Sequence, residues 1–320
     1  MKFFLLATIA FSAVISLFFE QRIDPYYLQV IIFAGIHITL AVGLNLINGH
    51  TGQFSLGHAG FTAIGAYVAA SVTIFLFPAY IERMGDTAFS RELLFFIALL
   101  LGGCTAALLG LGVGIPSLRL HGDYLAIATL GFGEIVRVVL QNTDAVGGSR
   151  GLTGIPPYTN IFWTYSVAAI TVYTVAMLVN STYGRGFLAV RDDEIAAEAM
   201  GINTTKYKVM AFAIGAFFAG IGGGLYAHSV QYINPEGFNF LESVEIVVMV
   251  ILGGMGNTIG VVLAAVFLTL LNELLRGFAE YRMIVYALLL IILMILRPQG
   301  LLGDIGPMKR WLLRWAEKQR

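Results

Sequence analysis

The sequence predicts an all-α, polytopic integral membrane protein of about ten transmembrane helices, on three observations. Charge is scarce: 12% of the 320 residues are charged and 58% hydrophobic, with a mean hydropathy of +0.82, whereas soluble domains carry about 25% charged residues. Apolar runs suited to a hydrocarbon core ~30 Å thick recur along the whole chain. The basic residues between the runs fall unevenly on the two alternating sides, as the positive-inside rule requires.

Bounding the runs at polar or Gly/Pro breaks gives ten candidates. They fall at about 3–19, 28–47, 57–77, 93–114, 122–140, 161–180, 208–228, 241–254, 257–275 and 283–296. The first, in MKFFLLATIAFSAVISLFFEQR, resembles a secretory signal. Its run reaches Phe19, however, and the bulky Leu17, Phe18 and Phe19 stand where a small-residue cleavage site belongs. It is read as a retained span. The eighth is short and ends in GGMG, which blurs its boundary with the ninth.

With the N-terminus inside, ten spans return the C-terminus to the inside. Twelve basic residues then lie inside: Lys2, Arg119, Arg185, Arg191, Lys206, Lys208, Arg297 and five in the tail. Seven lie outside or at that boundary: Arg22, Arg83, Arg91, Arg137, Arg150, Arg276 and Arg282. The tail, 304–320, sets Trp311 and Trp315 at i,i+4 among basic residues, as an interfacial helix does. The chain is therefore read as one transmembrane domain, 1–320, with a cytoplasmic loop at 181–207 and that tail.

Several function classes drop out. The net charge is zero, so no basic surface calls for nucleic acid. None of the five lysines sits in a phosphate-binding G-x-x-x-x-G-K-[ST] loop, so ATP-driven transport needs another chain to hydrolyse the nucleotide. The single cysteine, Cys104, can form no internal disulfide and is expected to be a small buried apolar side chain. His50 and His58 are eight residues apart with no carboxylate at metal-ligand spacing, so no metal site is expected. No nucleophile, base and orienting group can be named together, which argues against a membrane enzyme. A chain of acids deep in several spans, as a proton-driven carrier requires, is also missing.

Two Gly-rich interruptions remain. NGHTGQFSLGHAGFTAIGAY, residues 48–67, mixes Asn48, His50, Gln53, Ser55 and His58 with Gly49, Gly52, Gly57 and Gly60. A plain cytoplasmic turn is one reading. FSLGHAGF is too apolar for a solvated loop and too Gly-rich for a regular helix, and irregular backbone at membrane depth survives only inside protein or along a cavity. The second interruption, LGGMGNTIG at 252–260, holds Gly253, Gly254, Gly256 and Gly260. Gly256 with Gly260, Gly110 with Gly114 and Gly220 with Gly224 are small-xxx-small pairs that permit close helix packing. Among ionisable groups near spans, Glu134 and Arg137 at i,i+3 either neutralise each other or line a polar path. Glu242 and Glu245 share a face near the outer end of the eighth run, where interfacial hydration would explain them.

The most polar long stretch is RDDEIAAEAMGINTTKYK, 191–208. Asp192, Asp193 and Glu194 gather where a helix begins and the dipole favours them. Ala196, Ala197, Ala199 and Met200 follow, then Gly201 and Asn203 as a stop. So short a helix is marginal alone in water, and docking its apolar face on another protein would supply the missing stability.

EIAAEAMGIN resembles the coupling segment of ABC importer permeases, in which an Ala-rich helix and a following Gly fit a groove of the cytoplasmic ATPase. The blocks GLNLINGHTGQFSLGHAGFTAIGAY, LRLHGDYLAIATLGFGEIVRVVL, GGSRGLTGIP, YGRGFLAVRDDEIAAEAMGIN, VMVILGGMGNTIG and RPQGLLG run in order from about 43 to 303. Together they resemble the M-type permeases of branched-chain amino acid importers. The resemblance implies a bacterial inner-membrane protein paired pseudo-symmetrically with an H-type permease. It further implies two ABC ATPase subunits that bind ATP and Mg²⁺, with no cofactor in this chain, and a periplasmic binding protein.

Carried over, the coupling segment maps to Arg191, Asp192, Asp193, Glu194, Ala197, Glu198 and Gly201, and the Gly-rich intramembrane block to Asn48, Gly52, Gln53, Ser55, Gly57 and His58. With Glu134, Gly253, Gly254 and Gly256 this block is the expected substrate pathway. His121 departs from the family, which has a second basic residue there. The implied activity is translocation of Leu, Ile and Val. Urea or short amides within the same family, and an ATP-independent carrier or channel outside it, are the alternatives.

Overall fold

The computed structural model describes residues 2–19, 22–85, 87–117 and 123–281, with seven further positions between 284 and 295. Among them the chain is helical and has no strand, only an isolated bridge between Leu152 and Ile233. The first α-helices are α1 (Lys2–Phe19), α2 (Pro25–Asn45), α3 (His58–Ser71), α4 (Phe77–Met84), α5 (Ala88–Ser117) and α6 (Asp123–Gln141). They continue with α7 (Ile161–Val179), α8 (Thr182–Asp192), α9 (Glu194–Ala199), α10 (Thr204–Val230), α11 (Phe240–Gly253) and α12 (Thr258–Leu274).

Among the described residues, six segments are long and apolar enough to cross a membrane: Pro25–His50, His58–Leu76, Ala88–Ile115, Tyr124–Gln141, Ile161–Val179 and Thr204–Val230. Hydropathy alone predicts ten. The shortfall has a physical source: α11 has 14 residues and so rises only about 21 Å, and Thr258–Leu274 and the apolar stretch Leu5–Ser16 of α1 are likewise short. Half of the tenth run, together with Arg119, His121, Trp311, Trp315 and the tail 304–320, lies outside the described residues.

Helix starts are set by side-chain caps that satisfy otherwise orphaned amides. Asp24 accepts from Tyr26 N at 2.9 Å ahead of Pro25, and Asn160 from Trp163 N at 2.9 Å. Asn203, Asn239 and Asn257 do the same for α10, α11 and α12.

The centre of the bundle is α10, packed on α2, α3 and α5. Gly65 of α3 lies so close to Gly220 of α10 that a Cβ there would overlap the Gly220 backbone. Gly102 of α5 meets the same place from the other side. Small residues thus let three backbones approach without side chains between them, which is how helices associate where lipid removes the hydrophobic drive. Cys104 is not buried: it is exposed on α5. Lipid tails are as apolar as a protein core, so an apolar run does not reveal which of its side chains face inward.

The bundle has two ends. Gly52, Arg191 and Gly256 meet at one. At the other, Tyr26 hydrogen-bonds Glu273, and Tyr232 Oη donates to Arg150 O at 3.0 Å beside the Leu152–Ile233 bridge.

Candidate functional site

The backbone between α2 and α3 supplies the first part of the site. After Asn45 the helix widens into a π-turn, Leu46–His50, a form often found at functional positions. Residues 51–57 then run without regular structure into α3, although Thr51, Gln53, Ser55 and Gly57 are all buried. Protein groups satisfy the backbone of this segment. Gln53 N donates to Ile47 O at 3.1 Å, Ser55 N to Asn48 Oδ1 at 3.2 Å, Leu56 N to Thr129 Oγ1 at 3.1 Å and Ala59 N to Ser243 Oγ at 3.0 Å.

Its side chains are not satisfied. Both amide atoms of Gln53, Ser55 Oγ, His50 Nε2, Asn45 Nδ2 and both ring nitrogens of His58 are buried without a hydrogen-bond partner of normal geometry. His58 does interact with the Leu40 backbone. His228, equally buried, meets Thr73 Oγ1 at 2.9 Å and Gly224 O at 2.7 Å. Buried polar groups are normally paired, so this cluster is the exception within the bundle.

Gly253–Gly256 forms the second part. Gly253 lies tight against Gly260 and Val261, while Gly254 and Gly256 take φ of +93° and +84°, open to glycine and strained for other residues. Gly256 is therefore a turn residue, not the start of a helical small-xxx-small pair with Gly260. Its amide donates to Asn45 Oδ1 at 2.9 Å, pinning the turn to the end of α2.

The polar stretch 191–208 completes the assembly. It spans the end of α8, all of α9 and the first turn of α10: Asp192 ends α8, and Asp193, in extended conformation, caps α9 by accepting from Ala196 N at 3.0 Å. Gly201 takes φ +81°; its amide donates to Glu198 O at 2.9 Å and that of Ile202 to Ala197 O at 3.0 Å, a Schellman stop. Ala197 faces inward. Ile195 and Met200, each 82% exposed, project from the opposite side with Ala196 and Ala199. Glu194 pairs with Lys208, whose side chain is only 6% exposed, and Glu198 accepts from Thr204 Oγ1 at 3.3 Å.

Arg191 joins the three parts. Its guanidinium pairs with Asp192 at 2.9 Å. A Cβ on Gly256 would stand 3.2 Å from Arg191 Nη1, and one on Gly52 3.0 Å from Arg191 Cγ. Of the sequence-predicted residues, Asn48, Gly52, Gln53, Ser55, Gly57, His58 and Gly256 gather along this one region. Glu134, on α6, pairs with Arg137 at 2.6 Å and shares a small cleft with Leu56, Ala59 and Ser243, at the border of this segment. Sequence reasoning misses Asn45, Thr129 and Ser243, whose side chains hold the irregular backbone. A lone polar residue within an apolar run was their only signal.

Residues 26–295 match the family described as branched-chain amino acid transport system / permease component. The chain is 38% identical over 307 residues, 85% of this chain and 69% of the relative, to the high-affinity branched-chain amino acid transport system permease protein LivM of Salmonella typhimurium. It is 25% identical over 338 residues to the probable LivM permease of Methanocaldococcus jannaschii, covering 91% of this chain and 98% of the relative. It is also 25% identical over 306 residues to the LivH permease protein of Escherichia coli K12, covering 87% and 96%. No solved structure matches the chain.

Proposed function

Because the chain belongs to the branched-chain amino acid transport system permease family, we propose that it is the permease subunit of an ABC importer for Leu, Ile and Val. In this reading it crosses a bacterial inner membrane ten times with both termini cytoplasmic. A second, H-type permease completes the pathway, a periplasmic binding protein delivers the ligand, and two ATPase subunits bind and hydrolyse MgATP.

The observation that carries the reading is the link through Arg191. The exposed Ile195 and Met200 of α9 form a small apolar knob on a helix capped at both ends, suited to a groove on an ATPase. Arg191, just before it, touches Gly52 and the Gly256 turn, and these border the buried polar segment. Motion of α9 is therefore delivered to the backbone that interrupts α2 and α3. The buried polar side chains of Gln53, Ser55 and His58 fit a closed passage.

The test is uptake by the full complex in proteoliposomes with loaded binding protein inside or outside and MgATP opposite. The reading requires leucine uptake that depends on ATP. ATP-dependent uptake of urea or an amide but not leucine would overturn the substrate, and leucine flux indifferent to ATP would overturn the class.

A further inference from the structure

At the end of the bundle away from Arg191 lies a cavity of about 370 Å³, within the ~300–1,000 Å³ usual for small-molecule sites. Its two sides differ in chemistry. Val30, Phe33, Ile36 and Leu40 of α2, with Phe238, make an apolar wall. Glu242, Glu245, His37, Thr269 and Asn272 make the polar side.

The polar side is built to accept hydrogen bonds. Asn272 donates its amide to Glu245, which fixes that carboxylate. Thr269 Oγ1 lies 2.7 Å from Ala265 O and 2.8 Å from His37 Nδ1, a hydrogen-bonded chain that places both groups on this side. Glu242 sits in the first turn of α11, where the helix dipole favours its negative charge. Among the lining residues the one Lys or Arg is Arg276 at the rim, paired with Glu273 at 3.3 Å and lying over the Tyr26 ring.

Resting on the importer reading above, we propose that this cavity is a substrate-holding site within the permease. It would take the α-ammonium group of the amino acid on Glu242 and Glu245 and its branched aliphatic side chain against Val30, Phe33 and Ile36. A primary ammonium has three donors and no acceptor, the complement of this polar side. An aliphatic tail gains from contact with the opposite wall. A urea or simple amide satisfies neither half, since it brings no cation and no tail. Interfacial hydration, the plain explanation of the two glutamates, does not account for a facing apolar wall at the same depth.

The test uses the complete importer in proteoliposomes with loaded binding protein, reading uptake and ATPase stimulation separately. Glu245→Gln is expected to lower uptake of leucine, valine and alanine alike by about tenfold or more, the size of one lost charge-assisted hydrogen bond, with stimulated ATPase retained. Val30→Phe narrows the apolar half. It is expected to cut leucine uptake several-fold more than alanine uptake, which a merely structural role would not do. If Glu245→Gln loses ATPase stimulation as well, the leucine-to-alanine ratio of Val30→Phe decides. Wild-type uptake and an unchanged ratio in the variants would overturn the proposal while leaving the importer reading intact. No ATP-dependent leucine uptake by the unaltered complex would instead overturn the importer reading, and this proposal with it.

Discussion

Gly52 packs so close to Arg191 that a Cβ on it would stand 3.0 Å from Arg191 Cγ and 3.2 Å from Arg191 Cα. The contact joins the end of α8 to the irregular segment between α2 and α3, although 139 positions separate the residues in sequence. Gly52 also has φ +70°, so any side chain there meets both strain and Arg191. Gly52→Val should leave the complex assembled but uncoupled. The check is ATPase activity that no longer responds to loaded binding protein, with normal recovery of all subunits.

Lys208 and Glu194 give an asymmetric prediction. The Lys208 side chain is 6% exposed and that of Glu194 26%, so removing the carboxylate strands a buried cation. Glu194→Ala should destabilise by about 3–5 kcal/mol. Lys208→Met should cost less, and the double variant should recover part of the Glu194→Ala loss. Thermal melting of the purified permease in detergent orders the three.

Asn45 accepts from Gly256 N at 2.9 Å. Asn45→Leu leaves that amide unpaired next to Gly49 and should cost about 1–3 kcal/mol. The same melting assay measures it. Limited proteolysis should show the 254–257 turn more open.

At the helix crossing, Gly65→Leu forces a side chain into the Gly220 backbone. Packed interiors yield little to such overlap. The expected outcome is loss of a monodisperse peak in size-exclusion chromatography, whereas the same change at Gly112, around which a Cβ would meet nothing within 4 Å, should be tolerated.

The helices were legible because a bilayer demands long apolar runs, and α2, α5, α7 and α10 follow their runs closely. What hydropathy does not carry is direction. Cys104 is apolar and faces outward, and Phe61 is apolar and fully buried. The motif at 48–58 was legible as irregular from its glycines. Its partners were not, since Asn45, Thr129 and Ser243 each read as one polar residue in an apolar stretch. In RDDEIAAEAMGIN the three consecutive acids read as a single helix start. The chain in fact breaks at Asp193, which caps α9 while Asp192 closes α8. The cavity around Glu245 joins α2, α11 and α12, and its assembly depends on packing that no local pattern encodes.

In the proposed importer the α9 segment docks on the ATPase that drives transport. The most direct test is affinity purification of the full chain from its native membrane in mild detergent, with mass spectrometry of what accompanies it. Met200→Glu and replacement of 192–201 by a Gly/Ser linker serve as comparisons. The expected result is an ABC ATPase and a second permease with the wild-type chain, and loss of the ATPase from both variants while the second permease is retained with Met200→Glu. A chain that purifies as a homomer without any ATPase would contradict it.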